Sequence, residues 1–197
     1  MAHPLLVAKV GGSLYDLPDL GPRLRGWLAS RPQRRVLLLP GGGSFADVVR
    51  NLDAIHGVGE EASHWLALQA MSLGGSFLAR LLPEAALLPR IPEPSDGSGP
   101  FLLDAMPFFR QDEQQESRFP HRWQVTSDSL AVRVAIRAAA SELVLLKSVE
   151  WDKTLGWPEA ARADVVDTYF PTAMRRAGDL RVEIVNLRTM PGDVSSV

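Results

Sequence analysis

The chain contains three lysines, Lys9, Lys147 and Lys153, and each lies beside a loop junction. Lys9 closes the aliphatic run Leu5-Leu6-Val7-Ala8 ahead of Gly11-Gly12-Ser13, and Lys147 closes Glu142-Leu143-Val144-Leu145-Leu146 ahead of Ser148. An ammonium at the end of a buried strand must reach solvent or meet an anion, because burying it unpaired costs several kcal/mol. Gly11 and Gly12 let backbone N–H groups approach a phosphate, and Ser13 adds a hydroxyl. The stretch reads as a phosphate site. Taken alone, it reads equally well as an N-terminal strand, an ordinary Gly-Gly turn and a lysine that escapes to water.

Further along, Val36-Leu37-Leu38-Leu39 runs into a second glycine loop, Pro40-Gly41-Gly42-Gly43-Ser44. Ser44 is expected to N-cap a helix whose apolar face is Phe45, Val48, Val49 and Leu52, and a helix N-terminus behind glycines is an anion site. A carboxylate, Asp128, follows in Trp123-Gln124-Val125-Thr126-Ser127-Asp128-Ser129-Leu130, with Thr126 as the expected N-cap. Asp128 either complements the helix dipole or organises the lysines around a transferring phosphoryl group. Two glycine loops at separate strand ends suit two phosphates facing each other, and in-line phosphoryl transfer needs mainly positioning and charge neutralisation.

Other chemistries fit less well. Gly41-x-Gly43-x-x-Ala46 matches a dinucleotide-binding turn, but a helical stretch with Glu60 and Glu61 stands where the acidic strand end belongs. The P-loop pattern is absent. With no cysteine, disulfides, thiolate catalysis and thiolate metal sites are excluded. His3, His56, His64 and His121 are too scattered for a transition-metal site, so no metal ligand is assigned; His121 is read equally as a surface or a substrate-contacting residue.

These groups need a scaffold, and the composition supplies one. A chain of 197 residues with 46% hydrophobic content builds one ordinary domain, and a net charge of -2 gives no general attraction for nucleic acid or anionic membrane. No membrane span or signal is read in the chain, and a cytoplasmic protein is the default. A helix is predicted over Leu17–Leu28 and ends at Pro32, a long one over 60–82, and a third from Thr126. The 60–82 helix is apolar almost all round, so it is either a central core helix or the contact surface of a homodimer. Ala85–Pro89, Phe101–Leu103 and Arg181–Leu187 read as strands, Thr172–Ala177 as a short helix, Gln111–Arg118 as a solvated loop or a lid, and Pro191–Val197 as a frayed tail. Strands alternating with helices predict an α/β three-layer sandwich with a mainly parallel sheet, its ligand at the carboxyl ends of the strands.

The residues resemble the amino acid kinase superfamily, which includes acetylglutamate, aspartate and uridylate kinases. The resemblance rests on Lys9-Val10-Gly11-Gly12-Ser13-Leu14, Pro40-Gly41-Gly42-Gly43, Phe45-Ala46-Asp47-Val48-Val49-Arg50, Ser63-His64 and Trp123 to Leu130, and returns at Val166-Asp167-x-x-Phe170-Pro171 and Val185-Asn186. Within the superfamily it is most similar to the kinases that phosphorylate aminomethylfuranmethyl phosphate in methanofuran biosynthesis. It implies a single amino acid kinase-like domain over 1–197, with 1–125 binding mainly the acceptor and 126–197 forming a shortened nucleotide half. It also implies ATP as donor, Mg2+ held by ATP and water, a small phosphorylated acceptor, no nucleic-acid or membrane partner, and a homodimer or higher oligomer through the 60–82 helix.

By the same resemblance Lys9 stabilises the transferring phosphoryl group, Asp128 orients the lysines, and Lys147 serves both catalysis and nucleotide. Gly11, Gly12, Ser13, Gly41, Gly42 and Gly43 bind phosphate; Trp123, Thr126 and Ser127 bind acceptor; Ser148, Asp152 and Lys153 join Lys147 at the nucleotide. The chain departs from the family after the late strand, where Lys147-Ser148-Val149-Glu150-Trp151-Asp152-Lys153 replaces a Thr-Asp-x-Asp-Gly loop. That departure leaves open a catalytically silent relative that binds a phosphorylated ligand.

Overall fold

The computed structural model describes residues 5–32, 34–115 and 118–190. Six strands, β1 (Leu5–Val10), β2 (Arg35–Pro40), β3 (Ala86–Leu88), β4 (Pro100–Leu103), β5 (Glu142–Lys147) and β6 (Arg181–Asn186), form one sheet in the order β3-β4-β2-β1-β5-β6. Every pairing is parallel. The aliphatic runs of β1, β2, β4 and β5 carry little alternation because a parallel sheet is covered on both faces.

Side chains alternate across the sheet, and two cores result. Leu6, Ala8, Val10, Val144 and Leu146 pack with Leu24 and Trp27 of α1 (Leu20–Ala29) and with Leu78 of α3 (Glu60–Leu81). Val7, Leu143 and Leu145 point the other way, onto Leu130, Ala131 and Val134 of α5 (Ser127–Arg137) and Phe170 of α7 (Phe170–Met174). Lys9 and Lys147 share the parity of Val7 and Leu145. The strand period therefore aims both ammoniums at the α5 face. Helices α2 (Gly43–His56), α4 (Ala105–Asp112) and α6 (Trp157–Arg162) complete the three-layer sandwich. No helix among the described residues is long and apolar enough to cross a membrane.

Several local expectations change. Helix α2 begins at Gly43 with Gly42 at the cap, so Ser44 lies inside the first turn. Gly43 adopts φ +53°, a left-handed conformation open to glycine, and turns the chain into the helix one residue early. The apolar stripe of α2 is not covered, since no residue of the helix is buried and Val48 is 59% exposed. Helix α2 packs on α3 rather than on the sheet. Helix α7 starts at Phe170 instead of Thr172, because Pro171 suits a first helical turn. The segment expected as a solvated loop from Gln111 is helical as far as Asp112, whose carboxylate is buried against Arg133 at 2.7 Å. Residues 116 and 117 and the tail 191–197 lie outside the described residues.

Candidate active site

Parallel strands deliver their following loops to one edge of the sheet. Asp128, in the first turn of α5, meets both lysines there. Lys9 Nζ lies 3.0 Å from Asp128 Oδ1, and Lys147 Nζ donates to Asp128 Oδ2 at 2.6 Å. Lys9 and Asp128 are each 5% exposed. The Lys9 contact is an ion pair rather than an aligned hydrogen bond, for Asp128 Oδ1 has no partner of hydrogen-bond geometry. Burial alone would raise the Asp128 pKa, but the two ammoniums outweigh it and hold the carboxyl below its ordinary value. Burial, and then repulsion from Lys9, push Lys147 down to about 8.

The two glycine loops pack against each other. A Cβ on Gly12 would stand 2.2 Å from the Gly43 nitrogen, and one on Gly41 would stand 2.7 Å from the Gly12 nitrogen, so both loops need bare backbone. The Gly11 amide donates to Leu146 O and the Gly41 amide to Val10 O, each at 2.8 Å. These two N–H groups extend the sheet and are not presented to a phosphate, which narrows the expected donor set. Gly42, Gly43 and Ser44 stand at the start of α2, where a helix leaves N–H groups without intrahelical acceptors. Gly12 and Ser13 open a 3-10 turn, Gly12–Leu14, beside them.

A cleft of about 930 Å3 joins these groups. Lys9, Lys147, Gly12, Ser13, Gly42, Gly43, Trp123, Thr126 and Ser127 all line it. Its far wall comes from α3 through Glu60, His64 and Met71, and its rim carries Arg50, Arg122 and Arg188. The Trp123 indole N–H donates to Asp53 Oδ2 at 2.7 Å, while the Arg50 guanidinium lies 4.9 Å over the ring centroid, which ties the Trp123 loop to α2. His64 stacks on His121 at 4.0 Å between centroids, and His121 is clasped by Glu61 at 2.7 Å and Glu113 at 2.9 Å. Burial, then the neighbouring His121, lower the His64 pKa to about 4, so its imidazole faces the cleft uncharged.

The proposed nucleotide residues are not all gathered. Ser148 reaches the site edge, with its Oγ 2.9 Å from Ser13 Oγ. Asp152 instead accepts the amide and hydroxyl of Thr154 in a local turn, and Lys153 is a surface residue paired with Glu183 at 3.1 Å. Neither lines the cleft.

Asp167 belongs to the Val166-Asp167-x-x-Phe170-Pro171 motif, and the structure gives it a definite place. Thr126 occupies the N-cap position of α5, but its hydroxyl makes no cap bond and donates to Asp167 Oδ2 at 2.9 Å. Asp167 Oδ2 also accepts the Thr126 and Ser129 amides at 3.0 and 2.9 Å, and Oδ1 accepts the Ser129 hydroxyl at 2.5 Å. Burial, and then Asp128, raise the Asp167 pKa. Tyr15 carries no sequence signal of its own role. Its hydroxyl, raised in pKa by burial, donates to Gly41 O at 2.6 Å.

No family model matches the chain. Over 156 residues it is 30% identical to the [5-(aminomethyl)furan-3-yl]methyl phosphate kinase of Methanocaldococcus jannaschii, an alignment covering 76% of this chain and 69% of the relative. Its fold is similar to that of the uridylate kinase of Archaeoglobus fulgidus, with a TM-score of 0.63 at 15% identity over 92% of this chain and 90% of that one. The UMP kinase of Ureaplasma parvum gives 0.64 at 13% identity, over 95% and 92% of the two chains. That of Bacillus anthracis gives 0.63 at 13%, over 96% and 89%. At such identities the likeness to the solved structures is one of fold.

Proposed function

The chain belongs to the amino acid kinase superfamily, and from that premise we propose that it is a cytoplasmic kinase transferring the γ-phosphoryl group of ATP to a small phosphorylated acceptor. Aminomethylfuranmethyl phosphate is the acceptor we propose, as the name of the 30% identical relative suggests, and we place its conversion to the diphosphate in methanofuran-type cofactor biosynthesis. The observation that carries the reading is Asp128 holding Lys9 and Lys147 on its two oxygens, at 3.0 and 2.6 Å, beside the start of α2.

An oxygen of the acceptor phosphate attacks the γ-phosphorus, the new O–P bond forms as the bond to the β-phosphate oxygen breaks, and ADP leaves with that electron pair. The acceptor oxygen is already ionised near neutral pH, so no general base is needed. Lys9 faces the transferring group and Lys147 the donor phosphates. The amides of Gly12, Ser13, Gly42 and Gly43 receive charge on the phosphoryl oxygens, a preorganised role that requires no rearrangement during transfer. Trp123, Thr126 and Ser127 line the acceptor side, within the half 1–125 and its junction with the nucleotide half 126–197.

Mg2+ suits this site as a companion of ATP. Asp128 is committed to two lysines, and among the described residues no group of three or more His, Cys, Asp or Glu side chains could hold a metal. Held by phosphate oxygens and water, the ion supplies further neutralisation of the donor.

The assay is ADP release from Mg-ATP with the furan phosphate. Turnover dependent on the acceptor supports the reading. The positions of Asp152 and Lys153 away from the cleft favour one second reading, a silent protein that binds a phosphorylated ligand; ligand binding with no turnover would select it.

A further inference from the structure

Asp167 lies 38 to 41 residues from the helix turn it contacts and belongs to the connection ahead of α7. A helix N-terminus is ordinarily capped by its own Ser, Thr, Asp or Asn, and Thr126 stands in that position. Here the cap is instead a remote carboxylate, set beside a second carboxylate, Asp128. Two neighbouring carboxylates repel, and burial compounds the cost. A merely structural cap has no need of that arrangement. Next to Lys9 and Lys147 the charge of Asp128 is offset, while the hydrogen bonds from Ser129 and Thr126 favour the charged form of Asp167.

The geometry also frees Asp128. With the amides of Thr126 and Ser129 and both their hydroxyls taken by Asp167, the Asp128 carboxylate turns its two oxygens to Lys9 and Lys147. We propose that Asp167 is a positioning residue of the phosphoryl-transfer site: it locks the first turn of α5 so that Asp128 faces both lysines. The inference rests on the kinase reading for its purpose but not for its test.

The groups concerned are few. Asp128 faces Lys147 from α5, Lys9 lies across from β1, and Asp167 faces the pair from the segment before α7, itself bonded by Thr126, Ser129 and the Tyr169 amide. Burial, and then Lys9, pull the Lys147 pKa down to about 8, while Asp128 and Asp167 hold it up. Removing a negative charge lowers the pKa of a nearby lysine. The ammonium would then be lost at lower pH.

Because the chain has only three lysines, lysine labelled at the ε-carbon gives three NMR signals, assigned by Lys9→Arg and Lys153→Arg. In Asp167→Asn the Lys147 titration midpoint should fall by roughly half a pH unit or more. The alkaline limb of kcat should move with it, while the acceptor KM stays within about twofold. If Asp167→Asn does not fold, Asp167→Ser removes the charge but leaves an oxygen to accept the amides, and the same midpoint is read. A folded variant with the Lys147 midpoint unmoved overturns the proposal. Absence of turnover in the unsubstituted protein would instead count against the kinase reading, and the titration would still decide the role of Asp167.

Discussion

The hydroxyl of Tyr15 donates a 2.6 Å hydrogen bond to the carbonyl of Gly41 and ties the second glycine loop to the first. Gly74 of α3 makes room for the pair: a Cβ there would stand 2.7 Å from the Tyr15 oxygen and 2.9 Å from Gly41 O. Tyr15→Phe leaves the buried carbonyl unsatisfied and should cost about 1–3 kcal/mol of stability. Gly74→Ala should cost a similar ~1–3 kcal/mol by overpacking. In urea titrations both midpoints fall. If the loop is a phosphate cradle, the KM for ATP rises in both variants, whereas stability lost with KM unchanged would make Tyr15 a purely structural brace.

His64 gives a pH signature. Its folded pKa, about 4, lies below the ordinary histidine value of 6.5, so the unfolded chain binds more protons between those values. Its contribution to stability is whole above pH 6.5 and is lost as the pH falls toward 4. Between pH 7 and pH 5 the loss attributable to His64, part of it screened by solvent, should be about 1–2 kcal/mol. Denaturant titrations of the protein and of His64→Gln measure it by difference. Parallel stability curves for the two proteins across that window would show that His64 is not held neutral.

The contact between His64 and the clasped His121 was not legible in the sequence. The two residues are separated by β3, β4 and α4, and only the folded chain stacks them at 4.0 Å. Lys9 and Lys147 were legible because a lysine closing an aliphatic strand has few acceptable surroundings, and strand period sets the face it takes. Asp128 was legible from its place in a first helical turn. Asp167 was visible as a residue but not as a cap, since its partners lie 38 to 41 positions away. The use of the Gly11 and Gly41 amides depends on the register of β1 with β5 and β2, which no local pattern encodes. Lys153 misled because a charged residue near a strand end looks the same whether it turns to the cleft or, as here, outward at 72% side-chain exposure.

Helical periodicity likewise shows an apolar stripe without showing what covers it. On α3, Leu66 and Leu73 are 39% and 54% exposed, and the adjoining α2 leaves Val48, Leu52 and Ile55 exposed at 59%, 43% and 63%. We propose a homo-oligomer through this surface, with the 60–82 helix at its centre. Light scattering behind a sizing column should find at least a dimer. Leu73→Glu combined with Ile55→Glu should yield a folded monomer, and a monomeric unsubstituted protein at tens of micromolar would contradict the interface.

The central claim is that Lys9, oriented by Asp128, neutralises a phosphoryl group in transfer rather than one merely bound. Phosphorus NMR of the protein with Mg-ATP and aminomethylfuranmethyl phosphate tests it most directly. The account predicts a new diphosphate and an equal amount of ADP, both lost roughly a thousand-fold in a folded Lys9→Ala variant. Bound phosphate ligand with no diphosphate formed, or unaltered diphosphate formation by Lys9→Ala, would contradict it.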